Sequence, residues 1–162
     1  MNDFSNKSVI VTGGAKGIGA GISRAFAAAG ARVACVDVDA TAGAALVAET
    51  ADAKGEVRFF EADVSGGAAC KEVCSRVIDE WDGIDVLCNN VGIQPVDSYV
   101  PAHELPDEMW DRIVDINLKS YFLMAKYSVP NMMERGGGVI VNTASVQGLQ
   151  SALGVSAYAA SK

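Results

Sequence analysis

Two rhythms of apolar and polar residues take turns along this chain. Short runs with little polar interruption, Ser8-Val9-Ile10-Val11-Thr12, Arg32-Val33-Ala34-Cys35-Val36 and Ile84-Asp85-Val86-Leu87-Cys88, read as strands buried on both faces. Glu56-Val57-Arg58-Phe59-Phe60 and Val139-Ile140-Val141-Asn142 add a third and a fifth strand in chain order. Between them lie stretches of helical character: Gly17 to Ala29, stopped by Gly30, then Ala40 to Ala51. Ser65 is placed to cap a helix running to about Trp81. Pro95, Pro101 and Pro106 mark an irregular connection. From Asp107 to about Met133, residues Trp110, Ile113, Val114, Asn117, Leu118 and Tyr121 recur at helical spacing, until Gly136-Gly137-Gly138 breaks the pattern. Strands separated by helices of about ten or more residues predict parallel pairing through right-handed crossovers. The expected fold is therefore α/β, a doubly wound parallel sheet of five strands, with residues 1–162 as one domain and no repeat or linker.

Composition narrows the function classes. Half of the 162 residues are hydrophobic and the mean hydropathy is +0.21. That is apolar for a chain of this length and points to an extensive subunit interface, or to elements that would cover the core and lie outside the chain. A net charge of -7 argues against nucleic acid, because phosphate neutralisation needs clustered Lys and Arg. No apolar run approaches the ~20 residues of a membrane-spanning helix, and Met1 to Lys7 lacks the layout of a secretory signal. The four cysteines, Cys35, Cys70, Cys74 and Cys88, have no metal-ligand spacing, and the single histidine, His103, stands apart from them. They read as buried thiols of a cytoplasmic protein, and His103 as a surface loop residue. Trp110 and the Met132-Met133 pair read as packing.

The first turn carries candidate chemistry. In Thr12-Gly13-Gly14-Ala15-Lys16-Gly17-Ile18-Gly19 the glycines follow the first strand and open a helix. Such a turn gathers free backbone N–H groups and the positive helix end at one spot, which suits a pyrophosphate. Gly13, Lys16, Gly17, Ile18 and Gly19 are the candidate contacts. A strand-to-helix turn of this kind also serves purely structural connections, so its position after the first strand is what counts. Asp37 ends the second strand 18 residues after Gly19. A carboxylate there accepts from both ribose hydroxyls and repels a 2′-phosphate, which favours NAD over NADP. Lys16 and Arg32 pull the other way, since a cation beside that ribose favours the phosphorylated form.

The second candidate set lies at the far end. Tyr158 and Lys162 stand at i and i+4, one face of a helix. A phenol with a reference pKa of about 10 is a poor base, and a neighbouring ammonium stabilises its ionised form. Ser145, 13 residues before Tyr158, follows the fifth strand, so its hydroxyl would emerge at the carboxyl end of the sheet.

Taken together these motifs resemble the short-chain dehydrogenase/reductase family along the whole chain. Asp63-Val64 is similar to the family's adenine-contacting pair after the third strand. Asn89-Asn90-Val91-Gly92 is similar to its Asn-Asn-Ala-Gly motif, with Val91 in place of alanine, and adds Asn90 and Gly92 as cofactor contacts. Asn117, Ser145, Tyr158 and Lys162 match its catalytic tetrad. The resemblance implies an NAD-dependent exchange of hydride between a secondary alcohol and a ketone. In it Tyr158 carries the proton, Ser145 bonds the substrate oxygen, Lys162 holds the nicotinamide ribose, and Asn117 anchors a relay water. It also implies a homodimer or homotetramer, and two further strands with a substrate-closing segment beyond Lys162. The 162 residues alone are accordingly expected to catalyse poorly. A dinucleotide-binding module without turnover is the alternative. A methyl-donor enzyme would leave Ser145, Tyr158 and Lys162 idle.

Overall fold

The computed structural model describes residues 3–162. β1 (Ser8–Thr12), β2 (Arg32–Asp37), β3 (Glu56–Glu61), β4 (Val86–Asn89) and β5 (Val139–Asn142) form one sheet with every pairing parallel. The spatial order is β3-β2-β1-β4-β5, the doubly wound arrangement expected from the alternating runs. The chain winds outward from β1 to β3, then restarts beside β1 with β4. The order thus reverses between β1 and β4, and ligands bind beyond the carboxyl ends of such a pair.

The central strands bury both faces because their residues point alternately to two cores. Val9, Val11, Val33 and Cys35 pack on one side with Ala20, Ala27 and Leu46, beneath α1 (Gly17–Ala28) and α2 (Ala40–Glu49). Ile10, Ala34, Val36 and Leu87 pack on the other with Val73, Val77 and Met124, beneath α3 (Gly67–Trp81) and α5 (Ser120–Glu134). Val9, Ile10 and Val11 are fully inaccessible. Each such side chain contributes about 1.5–3 kcal/mol of burial. β5 behaves differently: Val139 and Val141 are 55% and 51% exposed. The four thiols lie buried and unpaired, as expected.

Local details depart from the sequence pattern for identifiable reasons. The helix after β3 starts at Gly67 with Gly66 at its N-cap, not with Ser65. Asp63 takes the Ser65 amide at 3.0 Å and so holds Ser65 in the preceding turn. β4 begins at Val86 because Asp85 turns its carboxylate to the Ser8 amide and to Lys7. The long helix is not uniform. α4 (Asp107–Val114) passes into α5 through a π-helical stretch, Asp115–Lys119, with Asn117 in its middle. Wider turns of this kind recur at functional sites. Met132 is buried, but Met133 is 74% and Trp110 41% exposed, so neither of the latter two is core packing. His103 stays on the surface. Among the described residues no helix is long and apolar enough to cross a membrane.

Candidate active site

The first wall of the site is the turn between β1 and α1. Gly13 and Gly17 sit at φ 60° and 51°, the left-handed region that glycine enters without steric cost. A side chain on Gly13 would come within 2.9 Å of Val91 Cα, and one on Gly19 would overlap the Gly13 carbonyl, so both are packing glycines. Gly17 has nothing within 4 Å of that position and faces open space. No side chain caps α1 at Lys16, which leaves the first-turn amides free to meet an anion. Asp37 accepts from the amides of Ala15 and Asp39, both at 3.1 Å, so the carboxylate is fixed at the end of β2.

A groove of about 550 Å³ opens over this turn. Gly13, Lys16, Gly17, Ile18, Asp37, Asn90, Gly92, Ser145, Tyr158 and Lys162 all line it, which brings together candidates from both ends of the chain. Asp63 and Val64 line a smaller adjoining hollow that shares Gly13 and Asp37. Gly19 and Asn117 line neither space. Thr12 joins the two central strands at the groove floor: its hydroxyl oxygen accepts from the amides of Asn90 and Val91 at 3.1 and 3.2 Å. Asn90 answers with its side-chain amide, donating to the carbonyls of Thr12 and Gly13 at 3.1 and 3.3 Å. The turn and the post-β4 segment are thus one hydrogen-bonded unit.

The cations flanking Asp37 sort themselves. Arg32 starts β2, at the opposite end of the sheet, and donates to the carbonyls of Asn6 and Trp81 and to the Ser8 hydroxyl. It therefore cannot act at the carboxyl end of β2, where Asp37 stands, contrary to the expectation from sequence. Lys16 does line the groove but is paired with Asp39, and that contact raises its pKa.

At the acid-base end, Ser145 accepts from the Gln147 amide at 3.2 Å and caps the short turn Val146–Gly148. Tyr158 is carried by α6 (Ser156–Ser161), and Lys162 follows it. The expected ammonium-on-phenol pairing takes another form. Lys162 Nζ donates to the hydroxyl of Tyr121, on α5, at 2.9 Å and to the Thr143 carbonyl at 3.2 Å. Tyr158 stands on the same groove beside it. Burial draws the Lys162 amine below its ordinary range. Burial also pushes the Tyr121 phenol up to about 12, and the charge of an ionised Tyr158 adds to that rise.

Asn117 works behind the groove. Its amide clasps the main chain of Ile93, accepting from N at 2.7 Å and donating to O at 2.9 Å, and it also donates to the Ser161 hydroxyl at 3.1 Å. One side chain therefore ties the post-β4 loop to α6. Both of its side-chain N–H donors are thereby engaged, while its Oδ1 keeps a second lone pair. Sequence reasoning gives Thr12, Thr143 and Tyr121 no place in the site. Thr12 opens the glycine motif and Thr143 precedes Ser145 by two, which are local signals; Tyr121 offers only a helical position.

Known proteins bear on this geometry. The sequence profile of the family described as short chain dehydrogenase matches residues 7–162. A 3beta-hydroxysteroid dehydrogenase 2 from Eggerthella lenta is 36% identical over 160 residues, covering 98% of this chain and 61% of that enzyme. A D-threitol dehydrogenase from Mycolicibacterium smegmatis is 40% identical over 142 residues, 88% of this chain and 54% of that enzyme. Among solved structures, a putative short-chain alcohol dehydrogenase from Sinorhizobium meliloti superimposes with a TM-score of 0.92 at 31% identity, covering 99% of this chain and 62% of that one. An NAD+-bound xylitol dehydrogenase gives 0.92 at 29% identity, covering 98% and 60%. The chain therefore spans about six-tenths of the length of these relatives. With its glycine turn, its Rossmann-type sheet and this match along nearly all of its residues, the chain belongs to the short-chain dehydrogenase family.

Proposed function

We propose that the full-length protein is an NAD-dependent oxidoreductase that interconverts a secondary alcohol and a ketone in the cytoplasm, as a homodimer or homotetramer. One observation carries the reading: Ser145, Tyr158 and Lys162 share a single groove with the glycine turn and Asp37. In this reading the first-turn amides of α1 hold a pyrophosphate, and Asp37, already fixed by two amides, meets the adenosine ribose. Asp63 and Val64 border the adenine, while Asn90 and Gly92 shape the floor. The pairing of Lys16 with Asp39 leaves Asp37 as the uncompensated charge at the ribose, which favours NAD over NADP. The four buried free thiols accord with a reducing compartment.

Bound nicotinamide supplies the hydride acceptor. Ser145 donates to the substrate oxygen, and Tyr158 takes the hydroxyl proton as the carbon gives up its hydride. The Lys162 ammonium stabilises the phenolate from the side. Asn117 keeps the Ile93 loop and α6 in register so that these groups stay together. Absorbance of reduced nicotinamide, followed with a panel of secondary alcohols that includes sterols and sugar alcohols, tests the reading. Turnover with NAD at rates above those with NADP supports it. Tight binding of NAD without turnover of any of these alcohols would instead make the protein a dinucleotide-binding module.

A further inference from the structure

Lys162 has two of its three N–H donors engaged, and the group that receives the shorter bond is a phenol outside the expected catalytic set. Tyr121 lies on α5, one turn beyond Asn117. Its hydroxyl hydrogen is directed at two main-chain carbonyls, those of Val91 at 3.0 Å and Thr143 at 3.3 Å. A phenol has one hydrogen to give. With that hydrogen drawn to the carbonyls, the oxygen's lone pairs are turned to the Lys162 ammonium. The same ammonium lies 4.9 Å from the Tyr121 ring centroid, within cation–π range. Gly92 lies close to the same amine, and any side chain there would come within 3.0 Å of Nζ. The amine is therefore clamped from α5 and from Thr143 and bare toward the glycine. Its third N–H is left uncommitted.

We propose that Tyr121 is a positioning residue for the reaction: its hydroxyl, oriented by the carbonyls of Val91 and Thr143, holds the Lys162 ammonium at the groove wall with one N–H left for the ligand. The inference rests on the dehydrogenase reading for its catalytic meaning, but not for its measurement. Tyr121 is suited to the part because it remains a neutral phenol throughout the working range, burial having raised its pKa to about 12. It accepts a hydrogen bond without competing with Tyr158 as the base. An acceptor bonded to an ammonium stabilises the charged form, which opposes the desolvation acting on Lys162. Without it a partly buried amine loses charge and fixed position together.

The test is a titration of the Lys162 side-chain resonances, by NMR of the full-length protein carrying isotope-labelled lysine, in the unsubstituted protein and in Tyr121→Phe. The substitution is expected to lower the Lys162 midpoint by about one unit, a tenfold shift in the protonation equilibrium. The acid limb of the alcohol-oxidation profile, which reports the group that must lose its proton, is expected to move to higher pH because the phenolate has lost part of its partner. Tyr127→Phe, which removes a hydroxyl elsewhere on α5, is expected to move neither. A Lys162 midpoint unchanged by Tyr121→Phe overturns the proposal, because a packing role alone predicts that result. Should Tyr121→Phe not fold, Tyr121→Gln and Tyr121→Leu are similar in size and differ in the acceptor, so an equal Lys162 midpoint in both overturns it equally. If the unsubstituted protein shows no dehydrogenase activity, the functional reading fails, and the midpoint comparison still decides the place of Tyr121.

Discussion

Between β1 and α1 the groove wall is main chain tied by the side chains of Thr12 and Asn90, whereas around Lys162 it is side chains gathered from separate elements. The glycine turn depends on Gly13, Gly19, Thr12 and Asn90, all within hydrogen-bond or van der Waals reach of one another. The other wall draws Asn117 from the π-helical stretch, Tyr121 from α5, Thr143 and Ser145 from the segment after β5, and Tyr158 from α6. A wall of the first kind is set once its strands pair. A wall of the second kind needs every contributing element in place, and the exposed β5 lies beneath it. In the proposed reading, binding thus falls to the hydrogen-bonded turn, and proton handling to the wall assembled from distant parts.

The largest expected effect tests the assembled wall. Tyr158→Phe in the full-length protein should reduce turnover by roughly 10²–10⁴-fold, the usual contribution of a positioned acid-base group, while leaving NAD affinity nearly unchanged. Steady-state rates together with a fluorescence binding titration separate the two. Turnover close to that of the unsubstituted protein would remove Tyr158 from the chemistry and break the division of labour between the walls.

The rigid wall is tested next, with two glycines that make opposite predictions. Gly19→Ala places a methyl group on the Gly13 carbonyl, and overpacking of this kind costs about 1–3 kcal/mol. It should lower the denaturation midpoint and weaken NAD binding together. Gly17→Ala meets no atom but must hold φ 51°, so it should cost less stability. Urea unfolding of the two variants checks the order. A larger loss at Gly17 would mean that the turn is limited by its backbone angle and not by the approach of α1.

This contrast also explains what could be read beforehand. The doubly wound parallel sheet and the two buried faces of β1 and β2 follow from local runs and fixed spacings, and the structure has them. Asp37 was legible because it closes β2 a set distance after the turn. Arg32 was misjudged because distance along a strand was not converted into opposite ends of a sheet, where it meets Trp81. The Ser65 cap failed because Asp63 takes the amide of Ser65 itself and holds that residue in the turn before the helix. The sequence shows Tyr121 as a helical position but not its partners, for a deeper reason. Its contacts to Val91, Thr143 and Lys162 span sequence separations of 30, 22 and 41 residues, and no periodicity encodes a meeting of that kind. Tyr158 and Lys162 at i and i+4 suggested a direct pair, yet a better-placed phenol on another helix takes the ammonium.

A smaller effect is expected at Asp37, the proposed partner of the adenosine ribose. Asp37→Ser removes the anion that faces a 2′-phosphate while keeping a hydroxyl to accept from the Ala15 amide. Discrimination against NADP should fall by on the order of a hundredfold, through tighter NADP binding and weaker NAD binding, as read from the ratio of kcat/KM values. An unchanged ratio would move the ribose away from Asp37 and leave the choice of cofactor to another residue.

The smallest effect belongs to the neighbouring cation, and it sharpens the same point. Lys16 is two-thirds exposed and paired with Asp39, so its charge is already compensated before any ligand arrives. Exposed pairs contribute little, because water and salt screen both partners. Lys16→Met should therefore leave the melting midpoint where it is and change the NADP to NAD ratio by less than Asp37→Ser does. The two substitutions act on residues of the same groove that differ in one respect: Asp37 is fixed by main-chain amides, whereas Lys16 is held by the side chain of Asp39. If Lys16→Met alters cofactor preference more than Asp37→Ser, the ammonium leaves Asp39 to meet the ligand. Control of cofactor preference would then lie with an adaptable side chain and not with the fixed carboxylate of Asp37.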